Sequence, residues 1–304
     1  MRKTVLILGA SSFVGSNLLE SLKDDYRVVG TYYQNPFDVP GVLSLPCDIL
    51  KKEAVQNLVG LISPDIVIYA VGLSSILESH QNPKLADALN TSGVINSSMA
   101  SDRYGAKFVL LSSAYVMSGE NSIFKESEAP FSNTTYGNTL SSSEFYVQKS
   151  CMNYFILRSS LLYGRSYNPF EANWFEIVEK TLAIGKPLYA DDSVVTGFLD
   201  IKILSNFIKA AIDSNLTNRL IQVSSSDYMT RYEFAKIYAQ VFHKNSDLVV
   251  KTNWKFPINE NQAKMNKTQD RYYYKMSIAN AEDFLGHRLP TIEESLQFTK
   301  VRLS

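Results

Sequence analysis

The apolar run Val5-Leu6-Ile7-Leu8 ends in Gly9-Ala10-Ser11-Ser12-Phe13-Val14-Gly15, and an amphipathic stretch continues to Leu22. A buried strand, a glycine turn and a helix, in that order, begin a βαβ unit. Such a turn sets backbone N–H groups and a helix N-terminus against a pyrophosphate. Gly9 permits the tight turn, and Gly15 lets the helix pack closely on the sheet. Ser12 replaces the usual middle glycine; its backbone is less free, but its hydroxyl can donate to a phosphate. Ser11, Phe13 and Val14 complete the candidate cradle. An ordinary strand–turn–helix connection would look the same over these few residues, so the rest of the chain must decide.

The rest of the first half repeats the alternation. Short apolar runs at 27–31, 65–71, 107–112 and 154–158 are separated by helical patterns at 51–62, about 84–103 and about 136–151. Continuous apolar strands between helices predict a parallel sheet covered on both faces. After Gly164 the spacing predicts helices over 173–184, 198–212 and 230–242, a strand over 220–223, a polar loop-rich stretch over 244–274 and a last helix near 292–301. Thr230 with Glu233 three residues later has the form of a capping box. The expected fold is α/β, a Rossmann doubly wound parallel sheet with a smaller, interleaved C-terminal substrate lobe. Residues 1–165, joined by 196–224, would form the dinucleotide-binding domain; 166–195 and 225–304 would form the lobe.

Thirty basic residues balance thirty acidic ones in a chain of 304. That speaks against a protein that tracks nucleic-acid phosphates, which would carry a basic excess. Small anionic ligands need only a local site. No His/Cys cluster has metal-ligand spacing, and Cys47 and Cys151 read as buried free thiols. No apolar stretch approaches the roughly 20 residues of a membrane span, and the N-terminal run is too short for a signal core. A soluble cytoplasmic protein is expected.

The second strand pattern ends in Thr31-Tyr32-Tyr33-Gln34-Asn35, without an acid or an arginine. An acid there would bond the adenosine ribose and repel a 2′-phosphate. Its absence weakens a preference for NAD, so the balance leans slightly to NADP, with Tyr32 beside the ribose. Asp48, in Cys47-Asp48-Ile49, would either bond the adenine amino group or cap the next helix.

Further motifs follow in order: Tyr69-Ala70-Val71-Gly72, Leu89-Asn90, Leu111-Ser112-Ser113-Ala114-Tyr115-Val116, Tyr136-Gly137-Asn138-Thr139, Glu144, and Leu157-Arg158-Ser159-Ser160-Leu161-Leu162-Tyr163-Gly164. With the glycine turn, this series resembles the extended short-chain dehydrogenase/reductases, and among them the dTDP-4-dehydrorhamnose reductase branch. The resemblance covers the first 165 residues well and continues weakly to the end, through Glu233-Phe234-Ala235 and Glu293-Glu294-Ser295-Leu296. It implies hydride transfer from a nicotinamide cofactor to C4 of a nucleotide-linked 4-keto-6-deoxy sugar. Tyr136 would donate the proton and Ser113 would bond the carbonyl oxygen. Asn90 would organise the site, and Tyr69, Ala70, Val71 and Ser112 would stand on the nicotinamide side. Tyr115 and Arg271 are the candidates for substrate contact. Arg271 begins Arg271-Tyr272-Tyr273-Tyr274-Lys275, which would either grip a nucleotide diphosphate or pack a core. A helix-mediated homodimer is also a family expectation.

Two positions depart from that pattern. The family lysine, four residues after the tyrosine, is Leu140 here; an acid expected in the serine loop is Ala114. A free tyrosine titrates near 10, so ionising it at pH 7 requires about 3 units, or roughly 4 kcal/mol. Leucine supplies none of this. Alcohol oxidation, which needs tyrosinate, should suffer most; ketone reduction uses the protonated form. Lys149 lies too far along the helix to substitute, and the Tyr232/Lys236 pair belongs to the other lobe. Leu140 keeps a second reading open: a non-catalytic dinucleotide-binding subunit that regulates or scaffolds a partner enzyme, as in the regulatory subunit of methionine adenosyltransferase. A reductase or epimerase acting on another substrate is the remaining alternative.

Overall fold

The computed structural model describes residues 2–167, 172–214, 216–254 and 271–303. The chain begins with β1 (Thr4–Leu8), α1 (Phe13–Leu22), β2 (Arg27–Tyr32), β3 (Leu43–Pro46), α2 (Lys52–Ile62), β4 (Ile66–Tyr69), α3 (Ile76–Gln81) and α4 (Pro83–Asp87). A π-helical turn, Ala88–Ser92, leads into α5 (Gly93–Arg103). Then come β5 (Lys107–Ser113), a 3-10 turn (Ala114–Val116), β6 (Ile123–Phe124), α6 (Thr135–Ser150), β7 (Tyr154–Ser159) and β8 (Leu161–Tyr163). The remainder is α7 (Trp174–Ala183), β9 (Leu188–Asp191), β10 (Val194–Thr196), β11 (Phe198–Asp200), α8 (Ile201–Asp213), β12 (Arg219–Val223), α9 (Arg231–Val241), β13 (Val249–Thr252), β14 (Tyr272–Met276), α10 (Ala279–Leu285) and α11 (Ile292–Leu303).

Seven strands form one sheet in the order β12-β7-β5-β4-β1-β2-β3, with every neighbouring pair parallel. The two-residue period of a strand explains the layering. Val5 and Ile7 face one core with Leu18, Phe207 and Ile208. Leu6 and Leu8 face another with Val55, Val59 and Val94. Each fully buried aliphatic side chain stabilises the fold by about 1.5–3 kcal/mol, and β1 contributes four of them. The strand order reverses between β1 and β4, which opens the crevice at their C-terminal ends where such sheets take ligands. A third core gathers Phe175, Phe198, Phe234 and Tyr238 with α11 residues Ile292 and Leu296. The first core also takes in Ala281 and Leu289 from the far end of the chain.

Several expected elements differ in detail. The long helix expected over 198–212 begins as β11, which pairs with β8; Asp200 then caps α8. One apolar run does not show where a strand gives way to a helix. The helix expected over 84–103 is interrupted by the π turn. The polar stretch at 244–274 contains β13 and the start of β14; its residues 255–270 lie outside the described residues. Thr230 and Glu233 do form a capping box. Both cysteines are free, but Cys151 is only half-buried. Among the described residues, no helix is long and apolar enough to cross a membrane, and no His/Cys/Asp/Glu group could hold a metal.

Candidate active site

Gly9 turns the chain at the end of β1 with φ +81°. A Cβ there would come within 2.7 Å of Val71 Cγ2 and 2.9 Å of the Ala70 carbonyl oxygen, and one on Gly15 would stand 2.1 Å from the Gly9 carbonyl oxygen. Either substitution would push α1 or the β4 loop aside. The turn is thus a tight backbone cradle of the kind a dinucleotide pyrophosphate fits. Ser12 caps α1: its Oγ accepts from the Gly15 amide at 3.0 Å and donates to the Ala70 carbonyl at 3.1 Å. The hydroxyl expected to reach a phosphate is instead committed to fastening the turn to β4.

A cavity of about 630 Å³ opens above the ends of β1, β4 and β5, and Phe13, Val14, Ala70, Val71, Ser113 and Tyr136 all line it. Ser113 ends β5, and its Oγ accepts from the Tyr115 amide at 3.3 Å. Tyr136 lies in the first turn of α6, which Thr134 caps through the Gly137 amide at 3.0 Å. A Cβ on Gly137 would stand 1.9 Å from the Tyr115 carbonyl oxygen. Only glycine therefore lets α6 begin this close to the 3-10 turn. That approach sets Tyr136 beside Ser113. Burial pushes Tyr136 up to about 12, and the Ser113 side chain pulls only part of that back. Tyr115 meets Tyr136 edge-on at 6.1 Å and packs against Tyr274 at 4.3 Å.

Leu140, one turn beyond Tyr136, lines the cavity but is only 6% exposed. It packs with Val116, Met117 and Phe124, and Tyr136 rests on the same cluster. The position is an apolar wedge. One turn further, Glu144 is fully buried and pairs bidentately with buried Arg158 (2.7 Å at its closest) while accepting from the Ser112 hydroxyl. This bond ties α6 to β5 and β7 directly beneath the site.

Asn90 sits in the π turn, a wide turn often found at functional sites. Its Oδ1 accepts from the Leu73 amide at 2.9 Å, and its Nδ2 donates to Thr139 Oγ1 at 3.1 Å. The carbonyl of Leu89 is taken up by the Tyr69 hydroxyl at 2.6 Å. Tyr69 therefore lines the cavity with its ring while its hydroxyl braces the turn, and burial pushes that hydroxyl's pKa up.

With this geometry in view, the profile of the RmlD substrate binding domain matches residues 2–299. The chain belongs to the RmlD substrate binding domain family. Methionine adenosyltransferase 2 subunit beta of Danio rerio is 21% identical over 82% of this chain and 76% of its own length. Probable low-salt glycan biosynthesis reductase Agl14 of Haloferax volcanii is 23% identical over 95% of each chain. The crystal structure of dTDP-4-dehydrorhamnose reductase from Bacillus anthracis, in complex with NADP, superimposes with a TM-score of 0.83 at 22% identity, covering 99% of this chain and 100% of that one. The resemblance read from the ordered motifs and the Rossmann-type sheet are both borne out.

Within this member of the RmlD family, the expected site residues fall into two groups. Residues 12–14, Tyr69, Ala70, Val71 and Asn90 meet Ser112, Ser113, Tyr115 and Tyr136 around one cavity. Gly9 and Gly15 shape the turn beneath it. Ser11, Tyr32, Asp48 and Ile49 are not among its walls. Tyr32 sits edge-on to Phe37 at 6.4 Å, and Ile49 is buried where it blocks any Cβ on Gly93. Asp48 accepts from the Leu50 amide at 3.1 Å, while Lys51, not Asp48, occupies the N-cap of α2. Arg271 is displaced most: it donates to Asp192 at 2.5 Å, outside the cavity walls. The arginine that does line the cavity is Arg231, beside Trp174 and Trp254. Sequence reading passed over it because a charged residue after a helix cap reads as solvated. The available signal was electrostatic: a cation in the first turn opposes the helix dipole.

Proposed function

We propose that this chain is an NAD(P)H-dependent reductase of a nucleotide-linked 4-keto-6-deoxy sugar, with NADP the favoured cofactor. One observation carries the reading: Ser113 and Tyr136 line the same cavity as residues 12–14 of the glycine turn. When bound, the nicotinamide supplies the hydride. Ser113 bonds the substrate carbonyl oxygen, and Tyr136 delivers a proton to the oxygen as its charge develops. With Leu140 in place of a cation and Tyr136 held near 12, the tyrosine stays protonated at neutral pH. The site is therefore biased toward ketone reduction. Residues 1–165 with 196–224 hold the dinucleotide, and the C-terminal part holds the sugar nucleotide. NADP in the Bacillus anthracis neighbour supports the cofactor assignment. The test is loss of reduced-nicotinamide absorbance when protein, NADPH and dTDP-4-dehydrorhamnose are mixed. No loss above the protein-free rate, on a sample that binds NADPH, refutes the reading.

Leu140 and the subunit beta relative support a second reading, a non-catalytic dinucleotide-binding subunit of a partner enzyme. A pull-down from source cells that recovers a stoichiometric enzyme, together with no hydride transfer, would favour it.

A further inference from the structure

Proton delivery by Tyr136 needs a fixed hydroxyl, and its neighbour one turn on supplies no charge to fix it. Leu140 is an apolar wedge packed with Val116, Met117 and Phe124. The hold comes from behind, through the backbone. The Tyr136 carbonyl accepts from the Thr139 hydroxyl at 2.8 Å. That hydroxyl in turn accepts from Asn90 Nδ2 at 3.1 Å, so one bond leads into the next.

Asn90 is itself clamped. Its Oδ1 accepts from the Leu73 amide at 2.9 Å, and its Nδ2 also reaches the Leu73 carbonyl at 3.3 Å. A Cβ on Gly72 would stand 2.8 Å from Asn90 Oδ1, so the loop after β4 closes tightly on the amide. The next residue, Thr91, donates through its hydroxyl to the Thr139 carbonyl at 3.0 Å. Two consecutive residues of the π turn therefore grip one residue of α6, by its side chain and by its backbone. Asn90 and Thr139 are 2% and 7% exposed, and in so dry a setting each bond is stronger than in water. A helical threonine divides between two χ1 rotamers because its hydroxyl can bond back one turn. The Asn90 amide meets Thr139 in the rotamer that does.

We propose that Thr139 is a positioning residue, which relays the hold of the π turn and the β4 loop to the Tyr136 backbone and so sets the tyrosine hydroxyl against the substrate oxygen. Asn90 acts on the reacting centre through it. The inference rests on the reductase reading for its kinetic readout, and it names what holds Tyr136 without a cation at position 140. A misplacement of about 1 Å at a reacting group can cost roughly 10²-fold in rate.

The test is steady-state NADPH oxidation with dTDP-4-dehydrorhamnose, run beside a calorimetric titration with NADPH. Thr139→Val removes the hydroxyl and keeps the branched shape. It should lower kcat about 10- to 100-fold with KM and NADPH affinity unchanged, the split expected when only transition-state geometry is lost. Thr139→Ser keeps the hydroxyl and should restore most of kcat. Asn90→Ala combined with Thr139→Val should cost little more than the larger single loss, because the two share one path to Tyr136. Wild-type kcat in Thr139→Val, an equal loss in Thr139→Ser, or losses that multiply in the double variant would each overturn the proposal. If Thr139→Val does not fold, Thr139→Ala removes the same hydroxyl and is judged by the same split. Amide exchange over residues 135–141 reads the hold without turnover. It should quicken in Thr139→Val and stay slow in Thr139→Ser; unchanged exchange in both overturns the proposal whether or not the protein is a reductase. Quickened exchange in a protein that never oxidises NADPH with a 4-keto sugar nucleotide would sink the reductase reading alone.

Discussion

At the glycine-turn end of the cavity, Ser12 is spent on Gly15 and Ala70, Asn90 on Leu73 and Thr139, and Ser112 on Glu144. Elsewhere in the lining, Trp174 Nε1 and Ser160 Oγ have no hydrogen-bond partner and Arg231 has no ion pair among the described residues. The first group is a rigid frame whose side chains are already committed to the protein; the second consists of side chains left uncommitted. A ligand at the first end loses little ordering entropy but gains little side-chain selectivity. At the second, each open donor rewards a matching oxygen and penalises its absence. The contrast suits an invariant cofactor at one end and a substrate that must be chosen at the other.

The largest effect expected is at the boundary between the two ends. Tyr136→Phe removes the proposed proton donor and should lower hydride transfer about 10²- to 10⁴-fold. NADPH affinity should hold, which steady-state rates and a binding titration can separate. If cofactor binding falls with activity, Tyr136 belongs to the frame and the comparison fails.

Glu144→Ala tests the frame itself. It leaves Arg158 charged and buried, so unfolding should become easier by about 3–5 kcal/mol in a urea titration. Breaking the half-exposed Arg165–Glu179 pair should cost at most about 1 kcal/mol. Equal costs would show that Glu144 is not locked in place as described.

Leu140→Lys sharpens the contrast. The new ammonium must leave the Val116–Phe124 cluster for the cavity, at a cost of about 1–3 kcal/mol in stability. In return, alcohol oxidation should become measurable and cofactor affinity should rise. Unchanged oxidation and affinity would place position 140 away from the reacting centre.

The smallest effect expected is a flat one. Tyr136 must be protonated to act in reduction, and its value is raised to about 12. This group should therefore leave reduction insensitive to pH through the neutral range and remove activity only as pH rises through that value. A fall beginning near the ordinary tyrosine value of about 10 would show that burial does not control it.

The frame was largely legible in the sequence because it is written in local signals. Continuous apolar runs marked six of the seven strands of the central sheet, β3 (Leu-Ser-Leu-Pro) being the exception, and glycines marked the turn. Tyr136 and Leu140 followed from the resemblance to the extended short-chain dehydrogenase/reductases, which gives the spacing its meaning. The selective end was not legible, because its partners are remote in sequence. Arg271 looked available because its carboxylate, Asp192, is 79 residues away. Arg231 was not singled out because Trp174, the ring beside it, stands on another helix. The π turn at Asn90 was also invisible: one wider turn leaves the apolar periodicity almost unchanged.

The sheet order has a consequence for the chain as it is made. β7 is flanked by β5 on one side and by β12 on the other, and β12 is residues 219–223. Until those residues leave the ribosome, β7 presents a bare strand edge, and the core beneath α1 lacks Phe207, Ile208, Ala281 and Leu289. A fragment ending at residue 165 would expose both, in the form that invites edge-to-edge aggregation. The cofactor half is therefore written first but finished late, and cutting it out at that point should yield an insoluble product rather than a minimal binding module.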